Sequence, residues 1–269
     1  MQFVRIDDAV VHYQVIGAAP DKPAIVFANA LGTDFRIWRD VIVRLAGKFT
    51  ILTYDMRGHG LSDAGTSPVT IARHAEDLAF LIGHTGIGRA FVCGLSVGGM
   101  VAQQLALSHL ELVRGLILCG TTARFADAET WDARIAAVEA NGIAALADAT
   151  LERWFTEAFR APGNDELAGY RNMLTRQPAN GYIGTCAALR DADLRAAVME
   201  IAVPALCVAA DHDGSTPPDV VAQLAKSIPG ARYEVLKGAG HLMCVEQAEM
   251  LSEMIQAFTA MVAEDKTLN

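Results

Sequence analysis

Short apolar runs punctuate the chain, each closed by turn residues: Ala24–Phe27, Thr50–Tyr54, Arg89–Cys93, Val113–Leu118, Ala205–Ala209 and Tyr233–Leu236. Runs of this length without strict polar alternation predict strands buried on both faces. Between them the spacing becomes helical. Ile71, Ala75, Leu78 and Ile82 fall on one helix face, Met100, Val101, Leu105 and Leu107 on another, and Met250, Met254, Ile255 and Phe258 close the chain. Strand alternating with helix predicts an α/β fold: a mostly parallel sheet with helices on both faces. The opening segment, Phe3–Ile6 and His12–Val15, reads as an antiparallel pair turned near Asp7-Asp8.

One stretch breaks the alternation. From about residue 122 to residue 200 only helical patterns occur, interrupted at Asn141-Gly142, Ala161-Pro162-Gly163 and Gln177-Pro178. Trp131, Ile135 and Val138 share one helix face there, and Leu151, Trp154, Phe155 and Phe159 another. The expected organisation is a core formed by residues 1–121 and 201–269, with 122–200 inserted as a helical cap.

Composition narrows the functional classes. The chain of 269 residues is 52% hydrophobic and 20% charged, enough apolar material for one large core. Its net charge of −9, with no long basic run, argues against nucleic acid and against an anionic membrane surface as partners. Asp7 and Asp8 interrupt any signal-like start, and no apolar run approaches the roughly 20 residues of a spanning helix. The five cysteines are odd in number and lack C-x-x-C pairing, so reduced thiols in a cytoplasmic protein are expected, without a structural metal.

The chemistry-bearing pattern is Gly94-Leu95-Ser96-Val97-Gly98, placed between the strand ending at Cys93 and the helix running to Ser108. A strand turning directly into a helix lifts a serine hydroxyl above the sheet, and the residues two before and two after must be small for the backbones to pass. A serine hydroxyl becomes nucleophilic only beside a base that a carboxylate orients. The pattern resembles the α/β-hydrolase fold, in which the order is Ser, acid, His, each at the C-terminal end of a strand. Here Ala205–Ala209 leads to Asp211-His212-Asp213-Gly214-Ser215-Thr216-Pro217, and Tyr233–Leu236 to Gly238-Ala239-Gly240-His241. Asp211 and Asp213 compete as the acid; the D-x-x-T-P turn beginning at Asp213 resembles the acid loop of that fold's members and favours Asp213. The expected triad is Ser96, Asp213 and His241. Val97 N–H is one oxyanion donor. Where many relatives have His-Gly this chain has Asn29-Ala30, which by resemblance makes Leu31 N–H the second.

More specific segments carry a narrower likeness. With Asp55-Met56-Arg57-Gly58-His59-Gly60-Leu61-Ser62 also in place, the chain resembles the 3-oxoadipate enol-lactonases, and the narrower signal is Asn29-Ala30-Leu31-Gly32-Thr33-Asp34, the elbow through Met100, and two stretches at 147–156 and 186–194. The likeness runs from about residue 10 to about residue 260. It implies hydrolysis of a small anionic enol-lactone to 3-oxoadipate in the β-ketoadipate pathway, by covalent serine catalysis and without a cofactor.

An anionic substrate on an acidic protein needs a local positive group. All eight basic residues between 122 and 198 are arginine, whose planar fork suits carboxylates. Arg190 and Arg153 lie in the family-like segments and are the expected carboxylate readers, with Trp154 walling the pocket. The same triad also serves other cofactor-free carboxylesterases and lactonases, and the fold hosts non-catalytic binding proteins. Oligomeric state has no signature in the pattern.

Overall fold

The apolar runs pair into one eight-stranded sheet. In the computed structural model, which describes residues 1–17, 19 and 21–264, the strands are β1 (Gln2–Ile6), β2 (Ala9–Ile16), β3 (Ala24–Ala28), β4 (Thr50–Tyr54), β5 (Ala90–Leu95), β6 (Val113–Cys119), β7 (Ala205–Ala210) and β8 (Arg232–Leu236). Their order across the sheet is β1-β2-β4-β3-β5-β6-β7-β8. β1 and β2 form an antiparallel hairpin whose turn places Asp7 at φ 49°, and β2 also runs antiparallel to β4. From β4 through β8 every pairing is parallel. β3 through β7 are buried at every position save Arg114, as strands covered on both faces require.

Helices cover the two faces: α1 (Arg39–Leu45), α2 (Ile71–Thr85), α3 (Val97–Ser108), and, after the cap, α8 (Pro218–Ser227), α9 (Met243–Glu246) and α10 (Ala248–Glu264). α2 shows why these residues form helix. Thr70 caps it, its hydroxyl accepting Arg73 N–H at 3.0 Å, and Ile71, Ala75, Leu78 and Ile82 bury one face. The buried Ile71, Leu78 and Ile82 side chains each contribute roughly 1.5–3 kcal/mol relative to exposure, and the Ala75 methyl less. Gly86 at φ 65° ends the helix in a conformation that costs glycine nothing. Among the described residues no helix is long and apolar enough to cross a membrane.

Between β6 and β7 the chain is helical: α4 (Ala128–Asn141), α5 (Ala147–Trp154), α6 (Asp165–Thr175) and α7 (Ala179–Asp191), with short 3₁₀ turns. These helices occupy the stretch expected to form the cap, and α4 packs on α7 within it. The turn signals fall between its helices. One expectation is corrected: α5 stops at Trp154, so Phe155 and Phe159 do not extend its face. Phe155 is extended, at φ −128° and ψ 149°. The Trp154 carbonyl accepts Leu242 N–H at 3.0 Å, and Thr156 N–H donates to Glu246 at 3.1 Å. Phe155 and Phe159 instead stack on each other, centroids 4.3 Å apart.

Candidate active site

The C-terminal ends of β3, β5, β7 and β8 converge below the cap, where open α/β sheets place their ligand crevice. Asn29 through Leu31, Ser96, Asp213 and His241 follow these four strands. The five-residue elbow is a consequence of crowding. A Cβ at Gly94 would lie 2.2 Å from Gly98 O, and one at Gly98 only 2.3 Å from Ala28 O. Both neighbours are backbone, which cannot move aside, so glycine is required at each.

Ser96 sits at φ 59° and ψ −120°, a region costing of order 1–3 kcal/mol for a side-chain-bearing residue. The surroundings hold it there. Ser96 N–H donates to Cys119 O at 3.0 Å, and Thr121 Oγ1–H donates to Ser96 O at 2.7 Å. Although Ser96 is the N-cap of α3, its hydroxyl makes no capping bond, so the oxygen is not consumed by the helix it precedes. Val97 opens α3, and a first-turn N–H has no acceptor within its own helix.

His241 Nδ1 lies 2.8 Å from Asp213 Oδ2, both residues buried. With the proton on Nδ1, Nε2 is the basic nitrogen. Asp213 is itself held: Oδ1 accepts Ser215 N–H at 2.7 Å and Thr216 N–H at 2.9 Å, and Oδ2 accepts the Thr216 hydroxyl at 2.8 Å. Burial alone would push its carboxyl up; His241 and the Thr216 and Ser215 amides outweigh it and hold the group below the ordinary carboxylate value. Asp211 has a different task. Its Oδ1 accepts Gly238 N–H at 2.8 Å, pinning the loop that leads to His241.

The loop after β3 is fixed from below. Asn29 donates to Tyr54 O at 2.7 Å and accepts Trp38 Nε1–H at 3.0 Å. Thr33 returns to Ala30 O through both its N–H and its hydroxyl. Leu31 is thereby presented to the cavity that holds Ser96 and His241.

That cavity, about 260 Å³, is also lined by Trp131, Arg134, Arg153, Trp154 and Tyr182. It lies just under the ~300–1,000 Å³ of sites for drug-sized ligands, so it suits a small substrate. Arg153 and Trp154 are in its wall. Arg190 is not. Its guanidinium is spent at the surface, with Nη1 on Asp132 at 2.8 Å and Nε on Asp191 at 2.7 Å, so the expectation that it reads substrate is corrected. Arg134, which the sequence reasoning missed, takes that place. Its signal was present: it lies one helical turn beyond Trp131 on α4, whose apolar spacing was read as packing alone.

The two wall arginines make no ion pair among the described residues. Arg134 donates to Tyr182 Oη at 3.3 Å and stands over the Trp131 ring at 5.4 Å. Arg153 reaches only Thr150 Oγ1 at 3.4 Å. Burial, and then the neighbouring Arg134 charge, push the Arg153 pKa below its ordinary value. Among the described residues the buried Trp131 Nε1–H has no acceptor. The wall therefore presents positive charge that no carboxylate pairs among the described residues. A larger cleft, about 900 Å³, lies between Asp34–Asp40 and α6. It contains neither Ser96 nor His241, and its Arg36 and Arg39 are already paired with Asp34 and Asp40. Ser96 and His241 both line the smaller cavity. Among the described residues no three His, Cys, Asp or Glu side chains are grouped to hold a metal ion.

Comparisons with known proteins bear on the fold and the family. A family model described as the alpha/beta hydrolase fold matches residues 23–248. Two 3-oxoadipate enol-lactonases of Acinetobacter baylyi are similar over nearly their whole length. Enol-lactonase 2 is 32% identical across 93% of this chain and 93% of its own. Enol-lactonase 1 is 34% identical across 90% of this chain and 91% of its own. The crystal structure of the enol-lactonase from Burkholderia xenovorans superimposes with a TM-score of 0.92 at 35% identity, covering 96% of this chain and 100% of that one.

Proposed function

The chain belongs to the 3-oxoadipate enol-lactonase family of the α/β-hydrolase fold and is a carboxylic ester hydrolase; from that premise we propose that it opens 3-oxoadipate enol-lactone to 3-oxoadipate, the ring-opening step of the β-ketoadipate route of aromatic breakdown. The observation that carries the reading is the pair Arg134 and Arg153, lacking carboxylate partners among the described residues, in the same small cavity as Ser96 and His241. A neutral ester has no use for two such charges. A lactone bearing a free carboxylate does, and the chain's net charge of −9 makes a local positive wall necessary.

In this reading Ser96 Oγ attacks the ring carbonyl while His241 Nε2 takes its proton, and Asp213 keeps the imidazole in the productive tautomer. Charge developing on the carbonyl oxygen is met by Leu31 and Val97 N–H groups, the latter at a helix N-terminus that favours an anion. The ring C–O bond then breaks. The leaving enolate oxygen takes the proton from His241, and the enol tautomerises to a ketone, which removes the nucleophile for ring closure. Water, deprotonated by His241, attacks the acyl-Ser96 ester and releases the second carboxylate. Arg153 and Arg134 hold the existing carboxylate throughout.

A progress curve with the enol-lactone, set beside neutral aryl esters, tests the proposal. Its kcat/KM should exceed that of the esters by at least about tenfold, the worth of one charge-assisted contact. Turnover of aryl esters with none of the enol-lactone would overturn it.

A further inference from the structure

His241 is tied to the cap on both sides. The residue before it, Gly240, donates its N–H to Glu246 Oε2 at 2.8 Å, and the residue after it, Leu242, donates its N–H to Trp154 O at 3.0 Å. The other oxygen of Glu246 serves the cap itself: Oε1 accepts the Thr156 hydroxyl at 2.5 Å and Thr156 N–H at 3.1 Å. Contact is tight enough that a Cβ at Gly240 would lie 2.6 Å from Trp154 O and 3.1 Å from Phe155 C. One half-buried carboxylate thus joins the loop carrying His241 to the segment that immediately follows Arg153 and Trp154.

The chemistry of the junction calls for a carboxylate. Two main-chain N–H groups from separate parts of the chain and one hydroxyl point at the same side chain, and only an acceptor-only group serves all three. Glutamine would turn an NH₂ towards one of these donors. We propose that Glu246 is a positioning residue: it fixes His241 and the Arg153–Trp154 wall in one register, so that the base and the carboxylate reader stay aligned on the same substrate. Misplacement of about 1 Å at a reacting group costs on the order of 10²-fold in rate. The part of this inference that concerns Arg153 rests on the anionic substrate proposed above; the part that concerns His241 does not.

The test uses Glu246→Gln, Thr156→Val and the double variant. The readouts are kcat and KM on a neutral aryl ester, kcat/KM on the enol-lactone, labelling of Ser96 by a fluorophosphonate, and melting temperature. In Glu246→Gln, aryl-ester kcat and the labelling rate should fall roughly 10- to 100-fold with KM unchanged. Enol-lactone kcat/KM should fall several-fold further, because Arg153 shifts as well. Thr156→Val should lose less in the same direction, and the double variant no more than Glu246→Gln alone, since both cut one strut. Normal aryl-ester kcat in Glu246→Gln beside a lowered melting temperature, or losses that multiply in the double variant, would overturn the proposal. Should Glu246→Gln fail to fold, Thr156→Val decides alone, and full kcat there overturns it. A wild-type protein that cleaves aryl esters but not the enol-lactone sinks the substrate assignment and leaves the Glu246 result readable on the ester.

Discussion

Truncating Arg153 should separate the cost of building the anion site from its benefit. In the free protein its guanidinium is half-buried beside Arg134, with one long hydrogen bond to Thr150 and no carboxylate partner among the described residues. Keeping a charge so placed is unfavourable to folding, so Arg153→Ala removes a penalty along with the packing of its stem against Gly214. These two effects oppose each other. The expected stability change is within about 1 kcal/mol of zero, or roughly 2–4 °C in melting temperature for a domain of this size. Substrate binding has no such compensation. Loss of one charge-assisted contact to the carboxylate costs about 1.5–3 kcal/mol, hence roughly 10- to 150-fold in kcat/KM.

The assay measures enol-lactone and a neutral aryl ester on Arg153→Ala, Arg134→Ala and Arg153→Lys, with thermal melts of each. Both alanine variants should lose activity on the anionic lactone and keep most of it on the ester. Arg153→Lys should fall between wild type and alanine, because an ammonium restores charge but not the planar fork. Arg190→Ala, whose partners are Asp132 and Asp191, should leave both substrates within about twofold of wild type, as for an exposed ion pair. Equal losses on both substrates together with a large drop in melting temperature would refute the reasoning, since they would mean that Arg153 holds the fold rather than the substrate.

Other expectations follow from the same geometry. Asp213→Asn should keep its fold and lose on the order of 10⁴-fold in kcat, because the imidazole takes the wrong tautomer, whereas Asp211→Asn should cost far less; a reversed ranking in steady-state kinetics would reassign the acid. Gly98→Ala should destabilise the protein by at least about 3 kcal/mol in urea unfolding, as its Cβ would meet Ala28 O at 2.3 Å. Burial pushes His59 down to about 4 and His74 to about 3, so the unfolded chain takes up protons first as pH falls below about 6.5. Their contribution to stability is therefore full above that pH and declines down to about pH 3; equal urea midpoints at about pH 7.5 and about pH 5 would contradict it.

The parts of the molecule that read from sequence are those in which local covalent constraint decides the outcome. Gly94 and Gly98 are dictated by backbone lying 2.2–2.3 Å from any added Cβ, and the apolar runs by strands covered on both faces. The positions after β5, β7 and β8 are therefore legible, because a parallel sheet must deliver its strand ends to one edge. The cap is different in kind. The nearer partner of Arg190, Asp191, is its sequence neighbour, but Asp132 is 58 residues away and meets it only because α4 packs on α7. The same packing turns Arg134, which lies outside the family-like segments, towards the cavity, so membership of such a segment favoured the wrong arginine of the two.

The end of α5 makes the point most sharply. No glycine or proline follows Trp154 until Pro162, and the spacing of Leu151, Trp154, Phe155 and Phe159 continues a helix on paper. It stops because Leu242 takes the Trp154 carbonyl and Glu246 takes Thr156 N–H, two donor–acceptor choices made about 90 residues further along the chain. A helix boundary set by the loop of His241 is a tertiary decision, and the same contact brings Arg153 and His241 to one cavity. On the proposed roles of these residues, substrate reading and base placement are not independent variables. A change in either segment at residues 153–156 or 240–246 should be felt by both.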